Sequence, residues 1–482
     1  MWRLGSRRLA SVTDLAVVRI QATRQRPSWT VPWQMRPVEA GSGTGSIIHN
    51  SEGVVRILTA AHVVADSTYI TIQRNTDHFD SEKFSAKVVA QFNDTDLALI
   101  EVSDPHACVS EFSCIDAMTV CPSDVLPSLR SKVNVVGYPV GGDRLSVTEG
   151  VVSRVDIAKY SHSGRLAASF TVDAAINAGN SGGPIVDPAN GSILGVAFQK
   201  LVGSGIENQG HGVPSYLIHR FLKNPQSVHS LPCLGIAVQP LDSPALREYM
   251  GAPNGVLVNW SRNKALLSND VIVSINGHRV DNHGLTQFLG RRIHFSALIH
   301  EKFVADSVRL EVIREKQFVT VDSPLVASSS IDVVPGLAYG VRPTYLVVGG
   351  LVLQPLSLDY LQGWNERDRP PHLQDLLCRG KVKDNRSQAI VLTNVLASRC
   401  NAGYSSGWVG GPVLKAVNGE AVKDMKHLGS IVDRVVQTEE FIEFTFTGYV
   451  DDQLVVLKTS EVLRDESLIQ ATYDIPKMRF LD

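Results

Sequence analysis

Gly179-Asn180-Ser181-Gly182-Gly183-Pro184 is the stretch on which the reading of this chain turns. Glycine loses more backbone freedom on folding than any other residue, so a serine set among glycines needs a reason. Glycine on both sides lets the backbone turn tightly and aim its N–H groups beside the serine oxygen, which suits a nucleophile next to donors for a developing oxyanion. A serine hydroxyl is a weak nucleophile near neutral pH and needs a base, itself oriented by a third group. Thr59-Ala60-Ala61-His62 offers the base. Asp94-Thr95-Asp96-Leu97-Ala98-Leu99-Ile100 offers the carboxylate, with Asp96 beside the apolar run that would bury it and Asp94 as the alternative. The expected set is therefore His62, Asp96 and Ser181, with Gly179, Asn180 and Ser181 forming the oxyanion hole.

Composition bounds what surrounds this set. At 482 residues the chain is long enough for about three domains. A 44% hydrophobic and 20% charged composition is that of an ordinary globular protein. A net charge of −2 provides no basic field for nucleic acid or acidic lipid, so neither is an expected partner. No run approaches the roughly 20 apolar residues of a bilayer span. Six cysteines are too few for a disulfide scaffold. Cys108, Cys114 and Cys121 with His106 match no usual zinc spacing, so free thiols in a reducing compartment are expected, with no metal and no cofactor. Gly41-Ser42-Gly43-Thr44-Gly45 lacks the Lys-Ser/Thr of a phosphate loop and reads as glycines where a strand begins.

From Val12 to Leu222 the apolar runs are short and β-branched, such as Val54-Val55-Arg56-Ile57-Leu58, with Gly, Asn, Asp and Pro between them. Many brief strands at close spacing predict two β-barrels, His62 and Asp96 coming from the first and Ser181 from the second. The polar stretch Lys223 to Ser230 reads as a linker. Beyond it a repeat appears. Gly235-Ile236-Ala237-Val238-Gln239-Pro240-Leu241 returns as Gly350-Leu351-Val352-Leu353-Gln354-Pro355-Leu356. Val271-Ile272-Val273-Ser274-Ile275-Asn276-Gly277 returns as Val413-Leu414-Lys415-Ala416-Val417-Asn418-Gly419 at a wider offset, so the second copy carries an insertion, placed around Asn365 to Asn385. The Asn-Gly pairs signal hairpins, and the helical patches beside them give an α+β domain type. The expected boundaries are a basic tail over 1–10, a first domain over 11–224, two repeats over 232–325 and 340–465, and a tail over 466–482.

Taken together, Gly43-Thr44-Gly45-Ser46-Ile47-Ile48, Thr59-Ala60-Ala61-His62-Val63-Val64, Asp96-Leu97-Ala98-Leu99-Ile100 and Asp173 through Pro184 resemble the Deg/HtrA serine proteases, most of all the plant branch with two PDZ domains. The order His, Asp, Ser is that of chymotrypsin-like enzymes. The resemblance implies a mainly β fold: a chymotrypsin-like double β-barrel followed by two α+β PDZ-like domains. It implies an ATP-independent serine endopeptidase degrading unfolded or damaged proteins in quality control; the alternative is a proteolytically silent PDZ-bearing chaperone or scaffold. Two departures stand out: Ala178 replaces the family's usual proline, and Gly410-Gly411-Pro412 stands where a Gly-Asp usually precedes the second Asn-Gly strand.

The same resemblance places Ala175 at the base of the S1 pocket, with Ile176, Ala197 and Phe198 around it, which favours small or medium aliphatic P1 residues; Asp173 is the group that would alter this by swinging inward. It assigns Leu234, Gly235 and Ile236 to the loop that holds a peptide C-terminus at the first PDZ-like domain, with Gly349-Gly350-Leu351 as the counterpart in the second. A homo-oligomer, a trimer or a multiple of trimers, is implied, with Trp29 and Trp33 as candidate contacts. Three arginines precede the first acid at Asp14, which leans toward a mitochondrial or plastid matrix, with cytosol or nucleus as the alternative.

Overall fold

The computed structural model describes residues 15–74, 82–140, 144–200, 209–227, 229–383, 385–404, 411–447 and 451–481. The basic start and Ser11 lie outside the described residues, as does Gly410. The chain divides into two compact units: Met1–Arg24 with Val38–Ser328, and Gln25–Pro37 with Ser329–Asp482.

The first unit opens with two closed six-stranded antiparallel barrels. One is built from β1 (Val17–Arg24), β2 (Glu39–Ser51), β3 (Val54–Thr59), β4 (Ser67–Arg74), β5 (Lys83–Phe92) and β6 (Leu97–Val102). The other takes β7 (Lys132–Gly137), β8 (Ser146–Lys159), β9 (Leu166–Val172), β10 (Pro184–Val186), β11 (Ile193–Lys200) and β12 (Gly210–Pro214). Alternation drives both: in β3 the side chains of Val55, Ile57 and Leu58 are buried while Val54 and Arg56 are half-exposed. Closure removes the unpaired edges that an open sheet would present. A one-turn helix α1 (Ala61–Val64) follows β3, and α2 (Ser215–Lys223) follows β12.

The first unit continues into a smaller domain in which β13 (Ile236–Pro240), β14 (Val256–Ser261), β15 (Val271–Ile275), β16 (Ser307–Arg314) and β17 (Gln317–Pro324) form one sheet, with β13 at its edge. The Asn276-Gly277 turn carries positive φ at both residues, as the hairpin signal requires. Strand pairing reaches past 325, since Pro232 and Cys233 pair with Ala327 and Val326. The stretch expected as a free linker is tied down at its end: Ser230 and Leu231 are buried and hydrogen-bond to Asp94.

In the second unit β18 (Tyr345–Val348), β19 (Leu351–Pro355), β20 (Ile390–Val395), β21 (Val413–Val417), β22 (Phe441–Thr447) and β23 (Asp452–Lys458) make the repeat's sheet. Helix α3 (Met425–Thr438) buries Leu428, Ile431, Val432 and Val435 at helical spacing. The inserted segment carries α4 (Pro371–Arg379), whose Leu373 packs with Leu361 and Val391. Residues 466–482 are not a tail: they hold the end of α5 (Thr459–Thr472) and β24 (Arg479–Phe480), which pairs with β18. The placement of Trp29 and Trp33 is non-local. They belong to the excursion between β1 and β2 that is part of the second unit, where Trp29 packs on its core and the Trp33 ring lies 5.8 Å from that of Tyr345. Both tryptophans are half-buried there.

One side chain ties three parts of the first unit together. Arg220 of α2 is 5% exposed. Its Nε donates to the Lys302 carbonyl at 2.8 Å, and its guanidinium carbon lies 5.1 Å from the Phe92 ring centre and 4.9 Å from that of Phe303. Burial pushes its pKa down to about 10. Arg220→Ala should lower stability by about 2–4 kcal/mol, measured by calorimetry on the full chain, and Arg220→Lys should recover only part of it because the planar stacking is lost. An unchanged melting profile in Arg220→Ala would remove this role.

Candidate active site

The base and its carboxylate are joined at the end of the first barrel. A 3₁₀ turn over Asn93–Thr95 precedes Asp96, which adopts the left-handed conformation at φ 55°, one of the few places where an Asp is tolerated with positive φ. That turn aims the carboxylate at α1. Asp96 Oδ1 accepts the His62 backbone N–H at 2.8 Å, and Oδ2 lies 2.7 Å from His62 Nδ1. The Asp96 carbonyl also accepts from Ala61 N at 3.1 Å. The Asp96 side chain is 0% exposed while that of His62 is 32% exposed. A buried carboxylate facing Nδ1 holds the proton there and leaves Nε2 bare on the open side.

Asp94 is not the orienting acid. Its Oδ2 accepts from Leu231 N at 2.6 Å, Ser230 Oγ at 3.1 Å and Ser328 Oγ at 3.3 Å. Behind the pair, His162 lies 2.9 Å from Asn93 Oδ1 through Nε2, with its ring centre 6.2 Å from that of His62. The rings of Tyr160 and Phe198 stack at 4.1 Å and 2°, and burial holds the Tyr160 hydroxyl well above its usual pKa.

The Ser181 loop is held by its carbonyls. The Asn177 carbonyl accepts from Asn180 N at 3.0 Å, Ala178 from Val140 N at 2.7 Å, Gly179 from Thr44 Oγ1 at 2.7 Å, Asn180 from Gly183 N at 2.9 Å, and Ser181 from Thr44 N at 2.9 Å. A trans peptide points its N–H opposite to its carbonyl, so holding Ala178 C=O on Val140 turns Gly179 N–H the other way. Among the described residues neither Gly179 N–H nor Ser181 N–H donates to an acceptor. Those two fit an oxyanion hole. Asn180 does not: its N–H is committed to Asn177, which corrects its inclusion. Gly43 sits between the loop and α1: a Cβ on it would come within 2.6 Å of Val63 and 3.0 Å of the Ser181 carbonyl. The His62 ring and the Ser181 hydroxyl are not hydrogen-bonded to each other.

Of the expected S1 residues, Ala175 is half-buried, whereas Ile176 and Ala197 fill the core of the second barrel and Phe198 is buried against Tyr160. The Asp173 carboxylate accepts from Val151 N at 2.6 Å, which fixes it against β8. In the first repeat, Gly235 has φ 68°, and the buried Asn263 donates to the Leu234 carbonyl at 3.0 Å, setting Leu234, Gly235 and Ile236 at the start of the edge strand β13. In the second repeat Gly349 and Gly350 form a hairpin turn instead, and β18 occupies the corresponding edge of β19. Sequence reasoning missed Tyr138, Val140, Tyr160 and His162, which stand in unremarkable apolar or polar runs. Thr44 was visible inside Gly43-Thr44-Gly45, whose glycines lie within β2, not where a strand begins.

Residues 43–196 match the trypsin-like peptidase domain and residues 334–482 match a PDZ domain. The chain is 32% identical over 479 residues to protease Do-like 2, chloroplastic, of Arabidopsis thaliana, covering 97% of this chain and 75% of that protein. It is 30% identical over 483 residues to protease Do-like 4, mitochondrial, from the same plant, covering 97% and 85%. Among solved structures, the HtrA-type protease AlgW with tripeptide superposes with a TM-score of 0.50 at 22% identity, over 67% of this chain and 96% of that one, a likeness of fold.

Gly179 has φ 96°, and a Cβ there would come within 2.3 Å of the Tyr138 carbonyl and 2.7 Å of Val140 N. Gly179→Ala should therefore reduce fluorophosphonate labelling of Ser181 at least about tenfold while far-UV circular dichroism stays unchanged. Wild-type labelling in a folded variant would contradict the loop geometry.

Proposed function

The chain belongs to the Do-like (Deg/HtrA) family of serine endopeptidases, and from that premise we propose that His62, Asp96 and Ser181 carry its acyl transfer. The carrying observation is the pair of bonds from one buried carboxylate to the backbone and ring of His62. In this reading His62 Nε2 takes the proton from Ser181 Oγ as the oxygen bonds to the scissile carbonyl carbon. The carbonyl oxygen becomes an oxyanion between Gly179 N–H and Ser181 N–H. The imidazolium, stabilised by Asp96, gives its proton to the departing amine. Water then enters by the same route and releases the acyl group. The proteolytically silent scaffold gains nothing from these observations, since the relatives are named as proteases.

The substrates in this reading are unfolded or damaged proteins. Ala175 sets a P1 preference for small or medium aliphatic residues, and Asp173, bound to β8, does not supply a carboxylate for a basic P1. The open edge of β13 suits an added peptide strand whose terminal carboxylate meets Leu234, Gly235 and Ile236. The second repeat lacks an open edge at β19 and acts as a packing module. Assembly into trimers or their multiples follows the family. Among the described residues no helix is long and apolar enough to cross a membrane. Chloroplastic and mitochondrial relatives support an organellar matrix as the compartment.

Casein cleavage by the full chain should vanish in Ser181→Ala. Asp96→Asn should lower kcat by about 10⁴-fold, the order seen when a triad aspartate is neutralised, whereas Asp94→Asn should stay within about threefold of wild type. Cleavage by Ser181→Ala would end the assignment. In a peptide library, cleavage should follow Ala, Val or similar residues; equal cleavage after Lys or Arg would overturn the S1 reading.

A further inference from the structure

We infer that Thr44 is a positioning residue for acyl transfer: through one buried side chain and its own peptide groups it fixes the oxyanion donors in register with the base. The inference rests on the proposed roles of His62 and Ser181 and deepens them.

Thr44 is completely buried in β2 of the first barrel. All of its polar atoms are engaged. Its N–H donates to the Ser181 carbonyl at 2.9 Å. Its hydroxyl donates to the Gly179 carbonyl at 2.7 Å and accepts from Tyr138 N at 2.9 Å. Its carbonyl accepts from Thr59 Oγ1 at 2.7 Å, three residues before His62. A hydroxyl has one donor and two acceptor positions, so a single threonine bridges the nucleophile loop and the Gly137–Val140 segment at once.

The two bonds of the hydroxyl act on one peptide geometry. Holding Gly179 C=O fixes the Gly179–Asn180 peptide from one side. Holding Tyr138 N places the segment whose Val140 N–H takes the Ala178 carbonyl, fixing the preceding peptide from the other. The Val140 bond turns Gly179 N–H away from Val140, and the Thr44 bond fixes the peptide on the other side of Gly179, so the residue is held from both ends. The Thr44 N–H then sets Ser181 through its carbonyl, and the Thr59 bond sets the strand end from which α1 and His62 start. Groups from both barrels thus share one residue. Valine has the same shape and supplies the packing but neither hydroxyl bond; serine supplies both bonds without the methyl that faces Gly183. A buried unpaired Gly179 carbonyl and Tyr138 N–H would drive the loop to find other partners.

The test uses the full chain with Thr44→Val, Thr44→Ser and Thr44→Ala, kinetics on a fluorogenic peptide, thermal melts, and binding of a peptide boronic acid, whose adduct places an oxygen in the oxyanion hole. Thr44→Val should lower kcat at least about tenfold with KM within about twofold, and boronate affinity should fall in parallel. Thr44→Ser should restore most of both. A folded Thr44→Val with kcat and boronate affinity within about twofold of wild type overturns the inference, as does a loss that serine fails to rescue. Should valine prevent folding, Thr44→Ala is judged by the same two outcomes. Activity in Ser181→Ala would sink the acyl-transfer reading itself, whereas an active Thr44→Val sinks only the role of Thr44.

Discussion

A carboxylate with no exposure and both oxygens committed to one histidine is the constraint around which the first unit is arranged. Burying a charge is expensive unless it is hydrogen-bonded on every side, and removing one partner leaves the penalty without compensation. Asp96 meets that demand by combining three features: a left-handed backbone that turns the side chain toward α1, a main-chain donor from His62, and the ring itself. The main-chain bond matters most for geometry. It comes from the same residue as the ring nitrogen, so the position of α1 and the orientation of the imidazole are set by one group. The first barrel must close for β3 and β6, which pair side by side, to place the two halves.

The second half of the site is held differently. No buried charge fixes the Ser181 loop; a chain of five backbone carbonyls does, each with a named donor. Such a loop keeps its reactive N–H groups free because its own backbone carbonyls are satisfied elsewhere. The close approach at Gly43 explains why the motif there is glycine-rich: any side chain would push the Ser181 carbonyl and Val63 apart. Charge holds the base rigidly and backbone bonding holds the nucleophile loop, so the two halves respond to different perturbations. A substitution that neutralises charge reaches His62 first, and one that alters donors from β2 or the Tyr138 segment reaches Ser181 first.

Much of this was legible in the sequence because the chemistry depends on local residue types. Ser181 among glycines, His62 at a strand end and Asp96 before an apolar run each stand where short-range rules place them. The neighbouring Leu97–Ile100 run favours Asp96 over Asp94, and partners are what separate the two acids in the fold: Asp96 faces His62 while Asp94 holds Ser230, Leu231 and Ser328. What was hidden is non-local. Asn180 looks like part of the hole by position, but its N–H closes a turn onto Asn177. The family resemblance assigns Ile176 and Ala197 to the pocket lining, but the inward face of the barrel claims them. Trp29 and Trp33 sit in a Pro- and Arg-rich stretch whose resemblance-based role is subunit contact. Nothing local reveals that the excursion belongs with a unit beginning some three hundred residues later.

The two PDZ-like copies carry the same limit further. Gly235 through Leu241 and Gly350 through Leu356 align residue for residue in character, and each yields a strand paired to its neighbour in the same antiparallel sense. Their capacities differ because of what precedes them. Leu234 is followed by a single positive-φ glycine, and β13 remains a sheet edge. Val348 is followed by two, which fold Tyr345–Val348 back as β18 along β19; Asn401 Nδ2 clamps the turn by donating to the Gly349 and Leu396 carbonyls at 2.7 Å each. A strand tethered by a two-residue turn competes with any free peptide at a high effective concentration, and β24 secures it from the far side. Sequence similarity between the repeats thus reports a shared strand, while the glycine count before it decides whether that strand faces solvent or its own chain.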